Sequence, residues 1–108
     1  MTTFDKREEG FEKKFAHDEE LRFKATARRN KLLGLWAAEK LGLTDADAQA
    51  YAKEVVISDF EAPGDDDVFA KVRKDLDAKG GKSVSDQELR SAMDSLLMKA
   101  VEELQSGR

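Results

Sequence analysis

Ser85-Asp86-Gln87-Glu88, followed by Leu89, Met93, Leu96, Leu97, Ala100, Val101 and Leu104, is the stretch whose reading decides the fold. The serine oxygen and the glutamate side chain can satisfy backbone N–H groups that a helix start leaves without partners, the pattern of a capping box. The apolar residues behind it recur at steps of three and four, so they line one stripe of an α-helix and need a neighbour to cover it. No part of the chain alternates apolar and polar residues as a half-buried strand would. Turn signals at Gly42 to Thr44, at Pro63-Gly64 and at Gly80-Gly81 cut the remainder into three further helical pieces. The expected fold is all-α, a small four-helix bundle over residues 20–108 preceded by an N-terminal segment, residues 1–19, that extends the first helix.

Each piece has a face to bury. Leu21, Ala25, Leu32, Leu33, Leu35, Trp36 and Leu41 supply the first helix, with Trp36, as the largest side chain, expected at the centre of the core. The second starts at Thr44, with Asp45 and Asp47 in the first turn where the helix dipole favours anions, and offers Ala48, Tyr51, Ala52, Val55, Val56 and Phe60. The third follows Asp65-Asp66-Asp67, buries Val68, Phe69, Val72 and Leu76, and ends at Gly80.

Composition bounds the chemistry. A chain of 108 residues with 40% hydrophobic and 39% charged residues builds one modest core, and a deep cleft between two domains is not expected. With no cysteine and one histidine, His17, neither a thiolate nor a histidine zinc cage can form, and the composition suits a reducing cytoplasm. The longest uncharged apolar run, Leu32 to Ala38, has seven residues against the roughly 20 a bilayer span requires. The charged opening Asp5-Lys6-Arg7-Glu8-Glu9 is the opposite of a secretory signal.

The net charge of −4 conceals blocks of net −3 over residues 1–20, +5 over 21–40, −7 over 41–68, +3 over 69–82 and −2 over 83–108. Blocks of this kind match faces of a bundle to one another or match a partner surface. The basic stretch Arg22, Lys24, Arg28, Arg29, Lys31 can neutralise the acidic second helix, or serve a helical adaptor or a nucleic-acid-binding module. The acidic balance, with a pI near 5.1, argues against duplex binding.

Other constellations fail on spacing. Gly81-Lys82-Ser83 resembles the end of a phosphate loop, but the required first glycine falls at Leu76 and the segment before it reads as a helix. Asp45-Ala46-Asp47 opens like a calcium loop, but the sixth position is Ala50 and the twelfth Val56. The acids at 65–67 read as helix capping. No metal site and no catalytic pairing of nucleophile and base emerges, so the chain is not expected to be an enzyme. No cofactor is required, although weak adenine nucleotide binding through the basic residues or the Gly80-Gly81-Lys82 turn would suit a regulatory ligand. The N-terminal segment has binding chemistry instead: Phe4, Phe11 and Phe15 stand among eleven charged residues in the first twenty. Gly10 costs this helix about 1 kcal/mol. Such a thin stripe suits a segment disordered or loosely helical when free that orders on a partner. His17 lies in the same segment, facing water or responding to pH.

Phe11-Glu12-Lys13-Lys14-Phe15-Ala16-His17-Asp18, Arg28-Arg29-Asn30-Lys31-Leu32-Leu33-Gly34-Leu35-Trp36-Ala37-Ala38, Tyr51-Ala52-Lys53-Glu54-Val55-Val56, and Val68-Phe69 with Lys71-Val72 together span most of the chain. In them the sequence closely resembles the zeta subunit of alphaproteobacterial F-type ATP synthases. The resemblance implies a four-helix bundle that inhibits ATP hydrolysis by the F1 sector and is monomeric when free. Its N-terminal helix would wedge into a catalytic alpha/beta interface beside the rotor gamma subunit. Carried onto this chain, the anchors are Phe4, Phe11 and Phe15 and the polar contacts Arg7, Glu8, Glu12 and Lys14. Arg22, Lys24, Arg28 and Arg29 stand as secondary contacts. The resemblance places the protein in the cytoplasm, peripheral to the inner membrane through the ATP synthase and not inserted in it.

Overall fold

The computed structural model describes residues 19–61, 64–78 and 84–106. Among them are four helices, α1 (Glu19–Lys40), α2 (Asp45–Glu61), α3 (Asp65–Ala78) and α4 (Asp86–Gln105), and no strand. The all-α reading holds. Each helix begins or ends where the local chemistry says it should. Ser85, extended at φ −77° and ψ 161°, accepts the Glu88 N–H at 3.0 Å and caps α4. At the end of α1, Gly42 takes φ +79°. Its N–H donates to Glu39 O at 3.2 Å and that of Leu43 to Ala38 O at 2.9 Å, a Schellman closure that only a left-handed residue permits. Asp45, at φ +47°, turns the chain into α2, a conformation that aspartate tolerates better than most residues.

Helix α1 packs against all three others and α3 joins α2 to α4, while α2 and α4 do not meet among the described residues. The main core gathers Leu33, Ala37, Ala38, Tyr51, Val55, Val68, Val72, Leu76, Val84, Leu89 and Met93. A smaller cluster of Ala25 and Val101, flanked by Leu21, Leu97 and Leu104, ties the start of α1 to the end of α4. Two expectations need correction. Trp36 is not central: it is half-buried on the flank of α1, with Lys40 Nζ 5.4 Å from its ring centroid. The inward stripe runs through residues 25, 29, 33 and 37 at steps of four, which leaves position 36 at its edge and brings polar residues onto it. Phe60, read as buried, is 57% exposed, because the α2 stripe through Ala48, Ala52 and Val55 continues at Asp59.

The core has one buried phenol. Tyr51 donates its hydroxyl to Asp75 Oδ2 at 2.9 Å, and Lys71 Nζ reaches the same oxygen at 2.9 Å and Glu54 Oε1 at 3.7 Å. Burial, then the hydrogen bond and charge of Asp75, push the Tyr51 pKa well above its ordinary range. Above about pH 10 the unfolded chain therefore loses a phenolic proton that the folded chain keeps, and stability falls as pH rises. Tyr51→Phe is expected to cost about 1.5 kcal/mol at neutral pH, the lower end for a hydrogen bond to a charged group because Asp75 retains Lys71. In urea melts at about pH 9 and about pH 11 the variant should lose less stability between the two than the parent does. Equal losses would show that the phenol does not carry the alkaline limb.

Candidate functional site

The N-terminal candidates Phe4, Arg7, Glu8, Phe11, Glu12, Lys14 and Phe15 lie outside the described residues, as do His17 and the Gly80-Gly81-Lys82 turn. The described residues that follow the N-terminal candidates in sequence are the first half of α1, and there the basic stretch does not form one face. Arg22 and Lys31 are exposed. Lys24 pairs with Glu20 one turn earlier at 3.0 Å in the favourable Glu-before-Lys order. Arg28, half-buried, meets Glu103 of α4 at 3.4 Å.

Arg29 turns inward. It is 2% exposed, with Nε donating to Asn30 Oδ1 at 2.8 Å and Nη2 to Asp65 Oδ1 at 2.8 Å. Asn30, 1% exposed, donates in turn to Asp59 Oδ2 at 2.8 Å, and Asp59 Oδ1 accepts the Gly64 N–H at 3.2 Å. The network fastens α1 to both ends of the α2–α3 connection, and Arg29 is therefore not available as a surface contact. A buried guanidinium requires a carboxylate and an amide acceptor nearby, and this one takes both. The expected neutralisation of the second helix takes a different form: Arg29 pairs with Asp65 at the start of α3 rather than with an acid of α2, and Asp66 pairs with Arg90 of α4 at 2.9 Å.

Arg73 carries a second connection, from α3 to the start of α4. It donates to Asp77 Oδ1 at 2.7 Å, to Asp86 Oδ1 at 3.3 Å and to the Val84 carbonyl. The hydrogen bond to Asp77, followed by the charges around it, raises its pKa, so it stays a cation.

The remaining feature is apolar. Phe23 of α1, 56% exposed, and Phe60 of α2, 57% exposed, set their rings 5.5 Å apart at 43°. With Thr26, Ala27, Asn30, Val56 and Asp59 they line a groove of about 250 Å³. Phe23 was missing from the residues expected to pack. Its signal is an aromatic out of register with the apolar stripe, set between two bases. Among the described residues no group of three or more His, Cys, Asp or Glu side chains is placed to hold a metal. Among them, too, no helix is long and apolar enough to cross a membrane.

Residues 1–103 match the family ATPase inhibitor subunit zeta. A protein whose structure was determined by solution NMR is 45% identical, with a TM-score of 0.70, over 82% of this chain and 99% of its own. No curated protein matches the chain. The match takes in the N-terminal segment as well as the bundle. The chain belongs to the ATPase inhibitor subunit zeta family.

Proposed function

We propose that this chain inhibits ATP hydrolysis by the F1 sector of an ATP synthase through residues 1–19, which enter a catalytic alpha/beta interface beside the gamma rotor as a helix. Phe4, Phe11 and Phe15 are the anchors, and Arg7, Glu8, Glu12 and Lys14 the polar contacts. The observation that carries this reading is the family match, which begins at residue 1 and so includes the segment outside the bundle. The bundle acts as the holder: the segment leads in sequence into α1, and Arg28 and the Arg29 network anchor α1 to the other helices. Arg22 and Lys24 stay on the surface as secondary contacts; Arg29 does not. The reading needs no cofactor and places the protein on the cytoplasmic face of the inner membrane, monomeric until it binds.

Each phenylalanine entering a groove contributes about 1.5–3 kcal/mol, against about 1–2 kcal/mol for every residue that must be ordered. Affinity is a small difference between large quantities, so the loss of one ring is felt strongly. Phe11→Ala or Phe15→Ala is expected to weaken inhibition at least about tenfold, since one ring exceeds the 1.4 kcal/mol that a factor of ten represents. The melting curve should be unchanged. Titration of F1-ATPase hydrolysis with each variant checks this, and undiminished inhibition by both would remove the anchors.

A further inference from the structure

The Phe23–Phe60 groove is left over after the fold and the proposed inhibition have been accounted for. It has aromatic walls and one carboxylate. We infer that in the free protein this groove is occupied by the chain's own N-terminal segment, with the Phe15 ring against Phe23 and Phe60 and the Lys13-Lys14 pair beside Asp59.

Three observations converge on this occupant. The first is size. An apolar cavity of about 150 Å³ accepts a benzene ring, so a groove of about 250 Å³ takes one phenyl side chain with room for its stem. The second is tether length. Phe23 lies about 6 Å, one helical turn, beyond Glu19. The four steps from Glu19 back to Phe15 reach about 14 Å when extended, so the ring arrives after a single reversal of the chain. A tether this short holds the ring at an effective concentration on the order of millimolar, which a separate partner does not match. The third is charge. Both hydrogen bonds to Asp59 come from neutral donors, the Asn30 amide and the Gly64 N–H, and no cation among the described residues pairs with it. Lys13 and Lys14 stand immediately before Phe15.

The consequence for activity rests on the proposed inhibition. A ring held on its own bundle is withheld from the target, so self-docking lowers the apparent affinity by the fraction of chains in which the segment is docked. Opening the groove should then strengthen inhibition.

The chain has no cysteine, so Gly10→Cys gives a single site for a nitroxide label on the full-length protein. Self-docking broadens the Ala27 and Val56 methyl resonances several-fold more than those of Leu97, which lies in the cluster on the other flank of α1. Phe60→Ala, at an exposed position, abolishes the difference without altering the melting curve. Equal broadening at the two flanks would overturn the inference. So would broadening transferred from a labelled chain to an unlabelled, isotope-enriched one, which would make a second copy the occupant. In titrations of F1-ATPase, Phe60→Ala is expected to inhibit several-fold more strongly than the parent. Weaker inhibition would assign the groove to the target surface, and unchanged inhibition would refute the competition; either overturns the inference. If the parent chain does not inhibit at all, the functional reading falls, while the label experiment still decides whether the segment docks.

Discussion

Replacing Gly34 by alanine is expected to lower the melting temperature by about 10 °C, although on an isolated helix the same change would add stability. A methyl group built on Gly34 would stand 2.5 Å from the Cα of Ala52 and 3.1 Å from its Cβ. The nearer obstacle is backbone, so no rotamer relieves it and α1 and α2 must move apart along their packed faces. Overpacking of this kind costs about 1–3 kcal/mol and occasionally more, while the gain in helix propensity returns about 1 kcal/mol. A rigid obstacle puts the cost at the high end, and the net loss is about 2 kcal/mol. Ala52→Gly should not restore the loss, because it removes the Cβ and leaves the Cα in place. Thermal melts of the two single variants and the double variant check this. A Gly34→Ala protein as stable as the parent would mean that the two helices do not approach this closely in solution.

The second large effect is expected at Asp65. Asp65→Ala leaves the Arg29 guanidinium, 2% exposed, with Asn30 as its remaining acceptor. Removing one partner of a fully buried ion pair costs about 3–5 kcal/mol. The Asp65 side chain is 64% exposed, so water screens the pair and the expected loss falls to about 2 kcal/mol. Asp66→Ala is the control. It removes the neighbouring pair with Arg90, whose side chains are 92% and 46% exposed, and should cost less than about 1 kcal/mol. Adding Arg29→Met to Asp65→Ala should recover much of the loss by removing the orphaned charge. Chemical denaturation of the parent and the three variants separates these outcomes, and equal losses for Asp65→Ala and Asp66→Ala would contradict a buried role for Arg29.

Much of the architecture was legible because local chemistry carries it. The Ser85 cap, the Gly42 reversal and the apolar triplet Val68, Val72, Leu76 each depend on residues close in the chain, and each stands where the spacing put it. What misled was side-chain size and charge taken one residue at a time. Trp36 and Phe60 are large and apolar yet lie at the edges of their stripes, whereas Arg29 and Asn30, which composition assigns to a surface, sit on the stripe itself. Gly34 gave no sign of its role beyond its place in a family-like motif, because the obstacle it avoids is a backbone 18 residues away in sequence. The groove escaped for the same reason: Phe23 and Phe60 are 37 positions apart and meet only when α1 and α2 lie side by side.

The sequence by itself determined the four helices of the described residues, the end of α1, the start of α4 and the family, since periodicity, capping and turn chemistry act over a few residues and the specific motifs are contiguous. Only the tertiary structure decided which way each side of α1 faces. The rotation of a helix about its own axis is set by the sum of its contacts with three neighbours, and that sum placed the Arg29 guanidinium inside, Trp36 at the rim and Phe23 on the surface.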